Sequence, residues 1–304
     1  MSYNVHHFTQ EKREALVSEI NLIIGLQGDT LDMLIDLLLA TNGHKQSSHH
    51  EVFINLLAKI RLNLGSCVQI MPTLKDDYRF KVSTNLLYRA IVDDLINLYY
   101  LMGFVIPESQ EQPSLSNELS ILHKEFLMSC EQIVKSEAGF KAYLRNTFKN
   151  EASDKDVSHQ KVIANLRKAN PEVYHLKEKR WKTGREIRQD SDPYFDGKFP
   201  LDRGFISENQ KIKFIQQSGF QRHDALTYLF KYFSQHQHFS PKMHAAMLAG
   251  NDYDVTCYQV TLMEMTCGMA ILIRQLNVHD REFLDKKIHL LIEGILTKEV
   301  NNEA

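Results

Sequence analysis

Apolar residues recur at helical spacing, three and four positions apart, through most of this 304-residue chain. No stretch alternates polar and apolar residues for long enough to predict a strand. The pattern therefore predicts an all-α fold, a bundle of long antiparallel helices with one long irregular loop. The predicted helices are 9–27, 30–41, 49–71, 79–102, 115–149, 154–168, 171–182, 208–217, 221–237, 253–277 and 280–298.

Several predicted helix ends carry local signals. Ser48-x-x-Glu51 has the form of a capping box, which starts a helix. Gly103 follows the last apolar residue of the helix 79–102 and indicates its end. Pro72 ends the helix 49–71, because a proline within a helix removes a backbone donor.

The helical period disappears over residues 183–206, which hold three of the 13 glycines and two of the seven prolines. A loop of this length in a compact protein is usually functional, and we expect it to contact a protein partner. The interpretation is a single all-α domain over residues 1–304. Helices 9–149 and 208–298 form its core, with a basic and loop insertion at about 160–206.

The helix 79–102 is apolar around most of its circumference, which predicts a central position. Yet Asn85, Arg89, Asp93 and Asn97 recur every four residues along it, and Asp94 lies beside this stripe. Charged groups are almost never buried without partners, because desolvation costs several kcal/mol per ion. The helix therefore predicts a buried polar site.

Two other segments add polar groups to what the pattern predicts as core. Glu264 is the only charged residue over positions 255–273. Four of the 14 histidines fall over positions 223–244, and His236 and His238 come just after the apolar helical run 225–233. We expect these groups to meet, as a hydrogen-bond network that fixes helix register or as a cleft for histidine chemistry. The candidate catalytic residues are Arg89, Asp93, Asp94, Ser234, His236, His238 and Glu264.

Net charge and composition indicate the expected binding partners and cellular location. A net charge of −2 and a pI near 6.7 give no overall field toward nucleic acid or lipid. The N-terminus has no apolar signal core, and residues 255–273 fit a buried helix better than a membrane span. We expect a cytoplasmic protein without a membrane partner. The four cysteines are far apart, which is typical of reduced thiols: Cys67, Cys130, Cys257 and Cys267.

One segment is strongly basic. Residues 160–188 hold nine Lys or Arg and three Glu, a local net charge of +6, interleaved with aromatic rings. Such a pattern can hold a phosphate backbone and stack bases, while the alternative is a solvated helix face. The candidate RNA-binding residues are Lys177, Lys179, Arg180, Trp181, Lys182, Arg185 and Arg188.

The sequence contains few motifs of known metal, nucleotide or hydrolase sites. The chain has no H-E-x-x-H, no Walker A loop, no G-x-G-x-x-G and no G-x-S-x-G. Glu172-x-x-His175 is a single Glu-x-x-His motif, whereas di-iron bundles use two. We therefore expect no metal and no cofactor. The alternative that the spacing leaves open is a metal held by His236, His238 and either Asp93 or Asp94.

Residues 86–101 (LLYRAIVDDLINLYYL) and 228–240 (YLFKYFSQHQHFS) resemble a set of all-helical bacterial proteins. Those proteins share an Arg-x-x-x-acid pair on a central helix and a later Ser and His segment. More distantly, the arrangement is similar to the HEPN superfamily of helical bundles, many of them ribonucleases in defence or toxin–antitoxin systems. Its catalytic pattern is Arg, a polar residue, three to five residues and His, matched literally here from Arg274 to His279.

The resemblance implies an RNA-acting protein. Our hypothesis for this chain places Arg89 at the phosphate, with His236 or His238 moving the proton and Asp93 or Glu264 orienting the histidine or the arginine; this pair differs from the catalytic pattern of the family. Histidine and arginine suit metal-free cleavage of RNA through its own 2′-OH. Two alternatives stay open. One is a non-catalytic binding or scaffold module whose polar network is structural, and the other is a small-molecule or metal sensor in the same cavity.

Overall fold

The structure is a computed structural model, which describes residues 10–105, 114–148, 159–191, 206–218, 223–235 and 252–300. Across those ranges the chain is almost entirely helical, which confirms the all-α prediction. The ten α-helices described are α1 (Gln10–Ala40), α2 (Ser48–Ile70), α3 (Lys81–Met102), α4 (Leu115–Phe148), α5 (His159–Ala169), α6 (Gly184–Ser191), α7 (Glu208–Gln217), α8 (His223–Ser234), α9 (Asp252–Gln275) and α10 (Arg281–Val300). Short 3₁₀ helices at Met71–Lys75 and Tyr78–Phe80 join α2 to α3.

The prediction of two helices, 9–27 and 30–41, was wrong, because α1 is continuous through Gly28. The Thr30 hydroxyl donates a hydrogen bond to the backbone carbonyl of Leu26, one turn earlier in the same helix, at 2.7 Å. Ile23, Leu26 and Met33 are buried on both sides of the predicted break. Burial of a continuous apolar face outweighs the helix cost of about 1 kcal/mol for one glycine.

The predicted helix 171–182 was also wrong. Residues Tyr174–His175 (β1) and Arg180–Trp181 (β2) form a short antiparallel pair, with Tyr174 opposite Trp181. Lys179 adopts a left-handed conformation, with φ at 55°, so the chain turns back on itself instead of continuing as a helix. The Tyr174 and Trp181 rings meet edge to face, 5.0 Å apart.

Part of the predicted loop 183–206 is ordered as α6. Its start is a reciprocal capping box, in which Glu186 accepts a hydrogen bond from Thr183 N at 2.7 Å. The Thr183 hydroxyl in turn accepts from Glu186 N at 3.2 Å. Positions 192–205 of the predicted loop lie outside the described residues.

The chain divides into two compact units, Met1–Gly103 with Lys211–Ala304, and Phe104–Gln210. The first unit contains α1 to α3 and α7 to α10, and the second contains α4 to α6 and the β1–β2 pair. In the first unit α3 is central, because it packs against α2, α8 and α9. The division into a core and an insertion within one domain stays a prediction.

The helix α9 is long and apolar enough over Asp254–Gln275 to cross a membrane by length and composition. In the structure 67% of its most apolar window is buried inside the molecule. Leu262, Leu272 and Ile273 are fully buried. This burial is typical of a core helix, and the cytoplasmic location stays a prediction.

The predicted ends of α2 and α3 lie close to those observed. Ser47, one residue before the predicted Ser48, caps α2 by accepting from His50 N at 3.2 Å. Gly103 is the C-cap of α3. Its Cα faces the side chains of Phe214 in α7 and of Ser218, the residue directly after α7. A Cβ on Gly103 would lie 2.6 Å from the Phe214 ring. The close approach of α7 to the end of α3 therefore needs glycine.

We expect Gly103→Ala to destabilise the protein by about 1–3 kcal/mol, because the buried Phe214 ring has to shift. Gly65→Ala in α2 is the matched control, since a Cβ there meets nothing within 4 Å. The control should stabilise the protein by about 0.5–1 kcal/mol, the usual gain for alanine over glycine within a helix. Urea unfolding of both variants measures the difference, and equal effects would contradict the packing argument.

Candidate functional site

The polar stripe of α3 is a row of attachment points for other helices. Asn85, Arg89 and Asn97 each bind a side chain from a different helix of the same unit. Asn85 binds Asp254 of α9, Arg89 binds Ser234 of α8, and Asn97 accepts from Lys211 Nζ of α7 at 2.8 Å. The stripe therefore sets the position of three helices along α3.

A buried ion pair stands at the start of the stripe. Lys81, one helical turn before Asn85, lies 3.1 Å from the Asp254 carboxylate, and their side chains are 3% and 0% exposed. Asn85 Nδ2 donates to the other carboxylate oxygen at 3.3 Å. In the low dielectric of a protein interior such a pair needs added hydrogen bonds to offset its desolvation.

Tyrosine hydroxyls supply those hydrogen bonds. Tyr78 donates to Asp254 Oδ2 at 2.9 Å, and Tyr232 of α8 donates to Asp254 Oδ1. Tyr258, one turn after Asp254, donates to Asn85 Oδ1. We call Tyr78, Lys81, Asn85, Tyr232, Asp254 and Tyr258 the Asp254 cluster.

The Asp254 cluster keeps its phenols protonated. Burial, and then the adjacent Asp254 charge, raise the pKa of Tyr232 and of Tyr258 well above the ordinary phenol value. The same two causes raise the pKa of the neighbouring Cys257 to about 12. At neutral pH these groups are hydrogen-bond donors or inert thiols, not nucleophiles.

Arg89 lies one turn further along the stripe, where α8 ends. Its Nε donates to Ser234 Oγ at 2.8 Å, and its Nη1 pairs with Asp93. The guanidinium carbon lies 3.9 Å from the centre of the Phe230 ring, a cation–π contact. Arg89 is 8% exposed at its side chain and Asp93 is 35% exposed, so the site is reached from solvent on the Asp93 side.

Three of the seven candidate catalytic residues, Arg89, Asp93 and Ser234, are thus brought together. His236 and His238 follow Ser234 by two and four positions and lie outside the described residues. Their predicted role therefore stays a prediction.

Asp94 points to a different helix. Its carboxylate is 1% exposed and pairs with Lys59 of α2 at 2.6 Å, with Asn63 at 3.5 Å. Burial raises the pKa of Asp94, and the hydrogen bond and charge of Lys59 oppose that rise. Asp94 therefore joins α3 to α2 and does not belong with the Arg89 group.

Glu264 meets α3 at yet another level. Glu264 is 3% exposed on α9, and its backbone carbonyl oxygen accepts a hydrogen bond from the Tyr99 hydroxyl at 3.0 Å. Tyr99 is ten residues, about 15 Å of helix rise, beyond Arg89. The described contacts thus attach Glu264 to a later part of α3 than the one that binds Ser234.

The basic residues of the second unit are largely occupied by acids. Arg180 pairs with Glu178 and with both oxygens of Glu186, and Lys182 binds Asp190 at 2.6 Å. The bonds with Arg180, and then with Thr183, hold the pKa of Glu186 below its usual range, against the effect of burial.

Arg188 does not fit a role in RNA binding. Its buried guanidinium donates two hydrogen bonds to the two carboxylate oxygens of Glu118, at 2.7 and 3.1 Å, and so joins α6 to α4. Trp181 is half-buried, with its ring against Tyr174. Of the seven candidates, Lys177, Lys179 and Arg185 have exposed side chains.

The described ranges contain neither a group of metal ligands nor an activated thiol. No three His, Cys, Asp or Glu side chains gather there as metal ligands. Cys67 and Cys257 are buried and Cys130 and Cys267 half-buried, all as free thiols. Burial raises the pKa of Cys67 to about 12. The absence of a cofactor stays a prediction.

The Asp254 cluster was not predicted from the sequence, although one signal for it existed. Lys81 stands four residues before Asn85, so it extends the same stripe by one turn. Asp254 follows no such spacing, and its partners come from segments 173 and 22 residues away. Only the packing of α3, α8 and α9 brings these groups together.

Fold and site together define an all-helical protein whose central helix is fastened by buried polar contacts. Family models, curated proteins and solved structures were each compared with the chain, and none of them matches.

We expect Asp254→Asn to lower the free energy of unfolding by about 3–5 kcal/mol, because it removes the buried carboxylate charge that pairs with Lys81. Adding Lys81→Met should recover much of that loss. Asp36→Asn is the matched control, since Asp36 and its partner Lys287 are about one-third exposed. Its effect should stay within about 1 kcal/mol. Comparable losses for both Asn variants in urea unfolding would contradict a central role for the cluster.

Asp94→Asn should instead change the pH dependence of stability. Because the pKa of Asp94 is raised by burial, the native state holds its proton more tightly than the unfolded state. This contribution to stability is present at low pH, and it is lost as pH rises through the raised pKa. The Asn variant should remove that decline in melting temperatures measured from pH 3 upward. A variant that keeps the wild-type pH profile would rule out this linkage.

Proposed function

We propose that this chain is an RNA-acting helical protein that cleaves RNA without a metal ion, with Arg89 at the phosphate and His236 or His238 transferring the proton. The observation that carries the proposal is the 2.8 Å hydrogen bond from Arg89 Nε to Ser234 Oγ. It joins segments 86–101 and 228–240, the two that resemble the all-helical bacterial proteins and, more distantly, HEPN ribonucleases.

Chain connectivity supports the histidine assignment. Two residues span at most about 7 Å and four at most about 14 Å, so the length of chain after Ser234 is compatible with either histidine acting beside Arg89. Ser234 is itself held at Arg89, and its hydroxyl donates to the carbonyl of Phe230 at 2.6 Å. A histidine and a permanently charged guanidinium are the two groups that metal-free RNA cleavage needs.

The proposed reaction uses the substrate's own nucleophile. A histidine removes the proton of the 2′-OH, and the 2′ oxygen bonds to phosphorus. The P–O5′ bond then breaks as O5′ takes a proton from the protonated histidine, which returns to its neutral form. The products are a 2′,3′-cyclic phosphate and a 5′-OH. Arg89 has five N–H donors, of which the contacts with Ser234 and Asp93 use two, so others can serve phosphate oxygens.

The test incubates mixed cellular RNA in EDTA with the full chain and its His236→Ala and His238→Ala variants. We expect the wild type to cleave, and at least one variant to lose about 10²–10⁴-fold in rate at an unchanged melting temperature. His289→Ala is the control, because His289 is 73% exposed on α10 and pairs with Glu293. Intact RNA in every lane would contradict the proposal, and cleavage that needs added metal would exclude its mechanism.

A second candidate is a non-catalytic binding or scaffold module. The observation that favours it is the use of the whole stripe, from Lys81 to Asn97, for helix attachment. Arg89→Lys separates the two candidates, because lysine keeps the charge and loses the fork that binds Ser234 and Asp93. A scaffold predicts a lower melting temperature for this variant, with no RNA cleavage by any form of the protein.

A further inference from the structure

A row of exposed apolar side chains follows one face of α4. Phe126, Ile133 and Phe140 are separated by seven residues and are 64%, 67% and 58% exposed. Tyr143, which stacks on Phe140 with 6.5 Å between ring centres, is 54% exposed. Single exposed apolar residues are ordinary, but a contiguous row marks an interaction surface.

At its start the row lies opposite the face that α4 uses inside its own unit, and from position 132 onward no described residue of α4 is buried. Ile121, Leu127 and Glu131 are buried on that inner face. The Glu131 carboxylate accepts two hydrogen bonds from the Arg167 guanidinium of α5, at 3.1 and 2.7 Å. At 3.6 residues per turn, Glu131 is about 140° around the helix from Phe126. A helix that is apolar on two faces is typical of one packed on two sides.

Small residues complete the row. Ser129 and Ser136 are exposed between the large side chains, so positions 126, 129, 133, 136, 140 and 143 advance by alternating steps of three and four. This is the spacing of a coiled-coil seam. Both serine hydroxyls already donate to carbonyls of α4, at 3.1 and 2.8 Å. They therefore need no polar partner across an interface.

We propose that a second copy of this chain occupies the row, with the two α4 helices antiparallel. About a two-fold axis near residues 134 and 135, Phe140 faces Ser129 and Ile133 faces Ser136, so each large side chain meets a small one. Tyr143 then meets Phe126 at each end of the seam. Such a self-complementary patch is what a two-fold dimer requires.

Charges beside the row do not oppose this pairing. Glu137, next to Ser136 of the row, binds Lys141 at 2.9 Å within the same helix. This acidic group is thus balanced by a cation of its own chain.

The size of the row sets the expected strength of the dimer. It covers about 27 Å of helix. Four large side chains from each copy bury roughly 1,000 Å² in total, at the lower end of specific interfaces. We therefore expect a dimer that dissociates in the micromolar range.

The first test is sedimentation equilibrium of the full chain between about 1 and 200 µM. Wild type should pass from monomer to dimer, and Phe140→Glu should weaken association at least 30-fold. Phe283→Glu on α10 is the matched control, because Phe283 is also 58% exposed, and it should associate as wild type does. Wild type that stays monomeric at 200 µM, or a dimer that Phe140→Glu leaves intact, would overturn the proposal.

Disulfide trapping tests the direction of the helices. In a Cys130→Ser background, Ser136→Cys places two sulfurs about 4.5 Å apart along the antiparallel seam, whereas Ser129→Cys places them about 16 Å apart. Oxidation should give a covalent dimer for Ser136→Cys alone. Crosslinking of both variants would overturn the antiparallel arrangement, because a parallel pair aligns both positions. No crosslink in either would overturn the seam.

Discussion

The buried ion pair of Lys81 and Asp254 is the interaction on which the larger unit depends. Both side chains are removed from water, so neither helix can slide without exposing a charge to an apolar interior. Asn85 and the hydroxyls of Tyr78 and Tyr232 fill the remaining hydrogen-bonding positions of the carboxylate. The pair thereby fixes α9, α8 and the 3₁₀ turn before α3 against the first turns of α3.

The same principle extends along α3. Arg89 uses Ser234 and the Phe230 ring to hold the end of α8, while its partner Asp93 opens toward solvent. Lys211 holds α7 at Asn97, close to the tight contact at Gly103. Asp94 turns the opposite way to Lys59 of α2. One helix thus carries polar contacts to four neighbours, and the contact that the proposed function uses is Arg89 with the partly exposed Asp93.

The second unit follows a similar rule with arginine as the fastening residue. Arg188 on Glu118 and Arg167 on Glu131 are forked pairs that join α6 and α5 to α4. Fork geometry gives such pairs direction as well as charge, which suits them to setting the register of short helices. Much of the positive charge in residues 160–188 therefore serves the fold of this unit, whereas Lys177 and Lys179 of the hairpin turn are exposed.

The sequence by itself determined the all-helical class, most helix bounds and the polar stripe of α3, because apolar spacing and four-residue repeats are local properties. It also indicated that Arg89 and Ser234 belong to one site. It misjudged Gly28 and residues 171–182, where burial and a left-handed turn at Lys179 outweighed local preference. Only the tertiary structure decided that Asp254 receives Lys81, that Asp94 faces α2 and that Arg188 is buried. Those partners are separated by 173, 35 and 70 residues, and no local pattern records which distant side chain will neutralise a buried charge.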